Sequence, residues 1–363
     1  MKHSIIPKIC IPLFCFLACL FLYLGGLPAG KEAGGNTREE TPPPISDQEA
    51  TIFAEEIEKS LAAKDGAPFL RAMDWEAVTD AVLRDLPENR EEGKYRRKDV
   101  LESLSMSGGM VKYVVEQVKR GGTYHFLRLK DAADLLPGEK AVQFRFVDPD
   151  GGLDYHRLYL RRGPGGKLVI REIFLYRFGE TFSDSIRRTL APELYVGGLN
   201  GYGAPMSDVV QILFRENMPL IQAMHQAYDR GNYRKALDLY DALPKALQDN
   251  KSLEVLRLNA AMMLGDSGEY IYVLADLREK RRDDPCVDFL SLDYFFSKGM
   301  NEEVLRSMDR IDRLVGKDPY LNVFRCLALI NLGRPEEAKK LYAVSVREDK
   351  RLADDPIFSK FAP

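Results

Sequence analysis

Apolar residues recur along the chain in three successive patterns. Behind a short basic start at Lys2, His3 and Lys8, residues 9–27 form an almost unbroken apolar run of nineteen residues, long enough to span a bilayer. After a polar stretch the spacing becomes three and four. Ser46 and Glu49 have the spacing of a capping box, and Phe53, Ile57 and Leu61 follow on one face, predicting a helix to about Ala63. Beyond a break at Lys64, Asp65 and Gly66, residues 69–86 carry Trp75, Val78 and Val82 at helical spacing, and a third helix is expected over 98–119, up to Gly121 and Gly122. The period then drops to two. Residues 124–129, 140–147, 153–161 and 167–177 predict four strands of an antiparallel meander, with DPDGG at 148–152 and GPGG at 163–166 as turns. From Asn217 onward the pattern is helical again.

The helical part repeats itself. Gly231, Gly268, Gly299 and Gly333 each precede an apolar residue by five positions (Ala236, Val273, Val304, Ala338) and another by nine (Tyr240, Leu277, Met308, Tyr342), and Pro285 and Pro319 stand 34 apart. The segments GNYRKALDLY and GRPEEAKKLY resemble the turn and second helix of tetratricopeptide repeats, which implies four helical hairpins over about 217–350. The middle repeats depart in length and the first-helix tryptophan is absent. For residues 47–195 the order of elements, helices and then a meander, resembles the nuclear transport factor two-like (SnoaL-type) fold. The fold class expected is therefore an α+β cone, helices on a curved antiparallel sheet, followed by an all-α tetratricopeptide-type solenoid. The implied division is 1–30 signal anchor or signal peptide, 31–45 linker, 46–195 cone, 196–216 hinge and connecting helix, and 217–363 repeats.

Small residues are poorly placed for cleavage after the apolar run, because Leu27 or Pro28 falls at the −3 position. An uncleaved signal anchor is the favoured reading, with a cleaved signal and a lipid anchor at Cys19 as alternatives. All three place residues 31–363 outside the cytoplasm, in the cell envelope or periplasm, because the positive charges precede the run. Lys and Arg number 52 against 55 for Asp and Glu, a net charge of −3, which supplies no field for nucleic acid. Of five cysteines, three lie in the apolar run, and Cys286 and Cys326 have no spacing that could hold zinc, so neither metal nor cofactor is expected.

Two readings of the chemistry compete. With five-residue turns, Arg161 pairs with Lys167, which sets His156 opposite Glu172 on the core-facing side, with His125 nearby. A carboxylate-oriented imidazole in an apolar cone is a candidate general base for a small-molecule-binding or enzymatic domain; a self-satisfied buried pair is the plainer reading. On the other face the same register opposes Arg157 and Arg171 among Tyr155 and Tyr159, where like charges repel. That face is either solvated or an interface, possible with a second copy of the chain. In the repeats, the register inferred from the resemblance puts Tyr228, Leu258, Met262, Phe289, Phe296, Tyr320 and Leu327 along the concave groove. Such a lining exceeds what is normally left in water. It suits an apolar helix or peptide of a protein partner, the chain's own 206–216 segment, or closer stacking as core. The Lys and Asn clamp for terminal carboxylates is missing. The expected function is that of an exported, membrane-tethered protein-binding scaffold rather than an enzyme.

Overall fold

The computed structural model describes residues 43–84, 97–130, 136–149, 151–190, 195–196, 204–205, 208–282, 284–354 and 358. The apolar run at 9–27 and the glycines expected as a hinge at 197–203 lie outside them. Among the described residues no helix is long and apolar enough to cross a membrane.

Helix α1 (Asp47–Ala62) opens with the capping box expected from its sequence, Glu49 N–H donating to the Ser46 hydroxyl and Ser46 N–H to the Glu49 carboxylate. The two following helical stretches each divide. Asp74 leaves the helix and its carboxylate accepts from Ala77 N–H at 3.0 Å, which separates α2 (Ala67–Ala72) from α3 (Trp75–Leu83). Gly108 and Gly109, at φ +65° and +46°, separate α4 (Arg97–Ser107) from α5 (Gly109–Lys119). A Cβ at Gly109 would lie 2.5 Å from the Phe182 ring, so close packing also demands glycine there.

Strands β1 (Thr123–Leu129), β2 (Lys140–Val147), β3 (Leu153–Arg162), β4 (Leu168–Leu175) and the short β5 (Glu180–Thr181) form one antiparallel sheet in chain order. The β2–β3 register pairs Val147 with Leu153, as the turn length requires. Between β3 and β4 it does not hold. Arg161 pairs with Val169, and an irregularity at Tyr159 and Leu160 shifts the rest by a further residue. Because side chains alternate, such a slip moves β4 residues to the opposite face. Ile173 and Leu175 therefore join the core under α1, α2, α3 and α5, with Val142, Phe144, Leu158 and Ile170, while Phe174 and Tyr176 turn the other way.

Helix α6 (Phe182–Leu190) packs on α3 and β4. Two-residue strands β6 (Tyr195–Val196) and β7 (Ala204–Pro205) pair with each other and precede α7 (Asp208–Glu216). The rest is helical: α8 (Met218–Asp229), α9 (Tyr233–Asp241), α10 (Lys245–Gln248), α11 (Lys251–Leu264), α12 (Ser267–Lys280), α13 (Pro285–Ser297), α14 (Asn301–Val315), α15 (Leu321–Asn331) and α16 (Pro335–Glu348). Neighbours in the chain pack on each other through short turns. Met224, Leu258, Leu292 and Cys326, spaced 34 apart on successive first helices, are all buried. The chain is thus α+β, a five-stranded antiparallel sheet with its own helices joined to a helical part.

Much of the outer face of the sheet is covered by the chain's own helical part. Val147, Leu153, Tyr155 and Tyr176 belong to the same apolar cluster as the helices beyond α7. Strand β2 is consequently buried on both faces.

Candidate functional site

The densest polar constellation is where the sheet meets the helical part. At the end of α14 the chain turns through Gly316 and Lys317, both at positive φ, and the last carbonyls of a helix lack partners within it. Four consecutive carbonyls there accept donors from the sheet. Lys130 Nζ reaches Leu314 O at 3.3 Å, Gln143 Nε2 reaches Val315 O at 2.8 Å, and Arg128 donates to both Gly316 O and Lys317 O. Two cations thus face the negative end of the helix dipole.

Directly after this turn, Asp318 is 3% exposed and takes Arg145 Nη1 at 2.6 Å on one oxygen and the Tyr155 hydroxyl at 2.8 Å on the other. The Arg145 guanidinium, 2% exposed, lies 4.5 Å from the Tyr320 ring centre, and Asp349 stands 3.9 Å from its other terminal nitrogen. Burial and the Asp318 charge raise the Tyr155 hydroxyl well above the usual phenol range, so it remains a donor. A second contact lies at the start of α11, where Lys251 Nζ pairs with Asp284 at 2.7 Å and donates to Phe178 O and Gly179 O of the β4–β5 turn. A third, at the C-terminal end, joins Arg351 to Glu58 at 3.3 Å, and Glu58 also holds His125 Nδ1 at 2.7 Å.

These contacts revise the expected sites. His156 and Glu172 are not partners. His156 pairs across the ladder with Leu175, and its ring lies between Asp154, 3.3 Å from Nε2, and the Tyr124 hydroxyl, 3.2 Å from Nδ1, all buried. Glu172 pairs with Tyr159 and accepts from Ile173 N–H and from both the amide and hydroxyl of Ser183. The shifted β3–β4 register separates them, so the expected acid–base pair does not form.

Arg157 and Arg171 are likewise not opposed. Arg157 lies across from Phe174 and donates to the Tyr176 hydroxyl at 2.6 Å and the Tyr159 hydroxyl at 3.3 Å. Arg171 forms a bidentate pair with Glu139 and packs over the Tyr159 ring. No repulsion remains to be relieved by an outside partner. Tyr155, from the same set, faces the chain's own helical part.

Of the groove residues, Leu258, Phe289, Phe296 and Tyr320 are buried in the apolar cluster shared by the sheet and the helices, and Phe289 lies 6.1 Å from Tyr155 between ring centres. They are core rather than open lining. Tyr228, Met262 and Leu327 are half-buried against that core. Cys286 and Cys326 are buried free thiols, both pushed up to about 12 by burial.

Sequence reasoning singled out none of Arg145, Gln143, Arg128 and Asp318. One signal was available. Asn217, Asn250, Asp284 and Asp318 recur at spacings of 33, 34 and 34, and Asn250 and Asp284 cap α11 and α13. The last two in the series are also the carboxylates that face the sheet's contacts. Comparison with known proteins finds no family model that matches the chain, and none of the curated proteins or solved structures compared with it is similar.

Proposed function

We propose that the chain is an exported, membrane-tethered interaction protein in which a SnoaL-type cone braces a tetratricopeptide-type array and an apolar segment of a protein partner binds along that array. The supporting observation is a ladder of equivalent positions. Tyr228, Met262, Phe296 and Ile330 stand 34 residues apart on the four first helices, and each is large and apolar. Tyr228 and Met262 are half-buried and Ile330 is 42% exposed, whereas Phe296 between them is buried in the core. The sheet engages the opposite ends of these helices, at Lys251, Phe289 and Tyr320. The binding surface is therefore narrowed to Tyr228, Met262, Leu327 and Ile330, and the buried Leu258, Phe289 and Tyr320 act as its foundation.

Photo-crosslinking residues placed at 262 and 330 in membranes of the native host test this reading. Both positions are expected to trap the same partner, Ile330→Asp is expected to abolish trapping from 262 without lowering the melting temperature, and a label at the exposed Glu336 should trap nothing. Trapping at Glu336 equal to that at 262 and 330 overturns the proposal. Phe289→Ser serves as the contrast, because it should lower the melting temperature outright.

A further inference from the structure

Strands β1 to β4 carry six arginines, and five of them have their charge matched. Arg145, Arg161, Arg162 and Arg171 pair with Asp318, Asp74, Glu49 and Glu139. Arg128 gives both terminal nitrogens to carbonyls at the negative end of α14. Arg157, in the middle of β3, has neither kind of partner. Its Nη2 donates to the Tyr176 hydroxyl at 2.6 Å and its Nη1 to the Tyr159 hydroxyl at 3.3 Å, while its Nε is buried without a hydrogen-bond partner. The rings of Phe174 and Tyr176 lie 5.5 and 5.4 Å from the guanidinium carbon. Among the described residues no carboxylate forms an ion pair with it, and the groups that bear on its charge are the two phenols.

An arginine keeps its proton in proteins, so burial cannot be relieved by neutralisation. A charge held away from water calls for an opposite charge. Ring faces and phenol oxygens offset part of that cost, but they carry no formal charge. The guanidinium is also fixed in place. The Tyr176 hydroxyl bonds onward to Gln143 Oε1 at 3.5 Å, and Gln143 Nε2 is held on Val315 O, which ties Arg157 to the seam with the helical part. Arg157 and Phe174 are both partly exposed, so the group stays within reach from outside.

We propose that Arg157 is the receptor for the carboxylate of a small organic acid, which enters beside the seam, takes one hydrogen from each terminal nitrogen and sets its apolar remainder beside Phe174. Each terminal nitrogen has two hydrogens, and a tyrosine takes one of them. One guanidinium flanked by two phenols suits a planar, singly charged group. Arg171, over the Tyr159 ring, is committed to Glu139 on two nitrogens, so the second charge of a phosphate dianion would go unmatched. The site lies on the sheet, apart from Tyr228, Met262 and Ile330, and is independent of partner binding there.

Two measurements on the full chain test this. Without ligand, Arg157→Met should be at least as stable to denaturant as the wild type, because an unmatched charge is exchanged for an apolar chain. With ligand, titration with acetate and benzoate against chloride at constant ionic strength, read by calorimetry and by the nitrogen NMR signal of the Arg157 Nε–H group, should saturate. Arg157→Gln should lower the affinity about tenfold or more, and Tyr176→Phe should lower it less. Arg161→Gln, whose guanidinium belongs to Asp74, should leave it unchanged. A marked loss of stability in Arg157→Met would make the guanidinium a structural tie and overturns the proposal. So does a failure of both carboxylates to saturate, saturation that survives Arg157→Gln, or saturation by inorganic phosphate in their place.

Discussion

On its inner face the sheet presents Val142, Phe144, Leu158 and Ile170 to α1, α2, α3 and α5; on its outer face it presents Gln143, Arg145 and Tyr155 to the end of α14 and the start of α15. Both sets are buried. The inner face needs only shape and the removal of apolar area from water. The outer face must give every desolvated polar group a partner, since an unpaired one is costly in a medium of low dielectric. It pairs Arg128, Lys130, Gln143 and Nη1 of Arg145 with groups that a helix leaves open at its end, the carbonyls of residues 314–317 and the Asp318 carboxylate, although Nε of Arg128 and of Arg145 is buried without a hydrogen-bond partner. A sheet can thus be buried twice with one apolar and one polar surface.

The largest effects should break each face in its own way. Phe144→Ala is expected to cost about 3–5 kcal/mol through lost transfer energy and the cavity left behind. Arg145→Ala should cost a similar ~3–5 kcal/mol, because Asp318 is left buried without its cation. Denaturant unfolding measures both. The faces differ in rescue: Arg145→Met with Asp318→Leu, compared in a Tyr155→Phe background so that no buried hydroxyl loses its acceptor, should recover most of the loss, since an apolar pair of similar volume removes the need for pairing. Failure of the double variant to exceed Arg145→Ala in stability would mean that the pair does more than satisfy itself.

The inner face was far more legible in the sequence than the outer. Strict alternation in residues 142–146 marks Val142, Phe144 and Phe146 as core, and the structure places all three there. The same alternation puts Gln143 and Arg145 on the opposite face without saying what covers it, because nothing local distinguishes a polar residue facing water from one facing a helix end. The β3–β4 register failed for a related reason. The turn is not the one assumed, so Arg161 pairs with Val169 rather than Lys167, and the slip at Tyr159 and Leu160 adds one more residue; together they part His156 from Glu172. In the helical part, the 34-residue period was visible through glycines and prolines. Asp284 and Asp318, the last two of the Asn and Asp series that precedes the first helices, carry the contact to the sheet, and they are polar, so a search for apolar groove positions passed over them.

A smaller effect is expected where the two parts touch through backbone. Gly179 has φ +60°, and a Cβ there would fall on the Asp284 carboxylate at 1.9 Å. Gly179→Ala should therefore cost about 1–3 kcal/mol, from the left-handed conformation and from displacement of the Lys251–Asp284 pair. Asp284→Ala alone should be destabilising, but in its background Gly179→Ala should cost less than in the wild type. Additive costs would show that the strain is in the turn itself and not in its contact with the helical part.

The smallest expected effect lies away from both faces, at the start of α1, and it calibrates the others. Ser46→Ala removes one half of a local capping box and should cost about 1 kcal/mol, well below either break in the sheet. Glu49 completes that box. Its carboxyl is held down to about 2, first by the Ser46 amide and then by Arg162, which lies 2.7 Å away and also donates to Pro43 O. A lowered value means that this contribution is present above 4.5 and is lost as pH falls toward about 2. Its window therefore lies in acid. Glu49→Gln should flatten the acid limb of the stability profile measured by denaturant unfolding, and leave stability at neutral pH lower by only a small amount. An acid limb unchanged in that variant would mean that the cap and its Arg162 contact do not set the acid dependence, and that the buried pairs on the outer face of the sheet do.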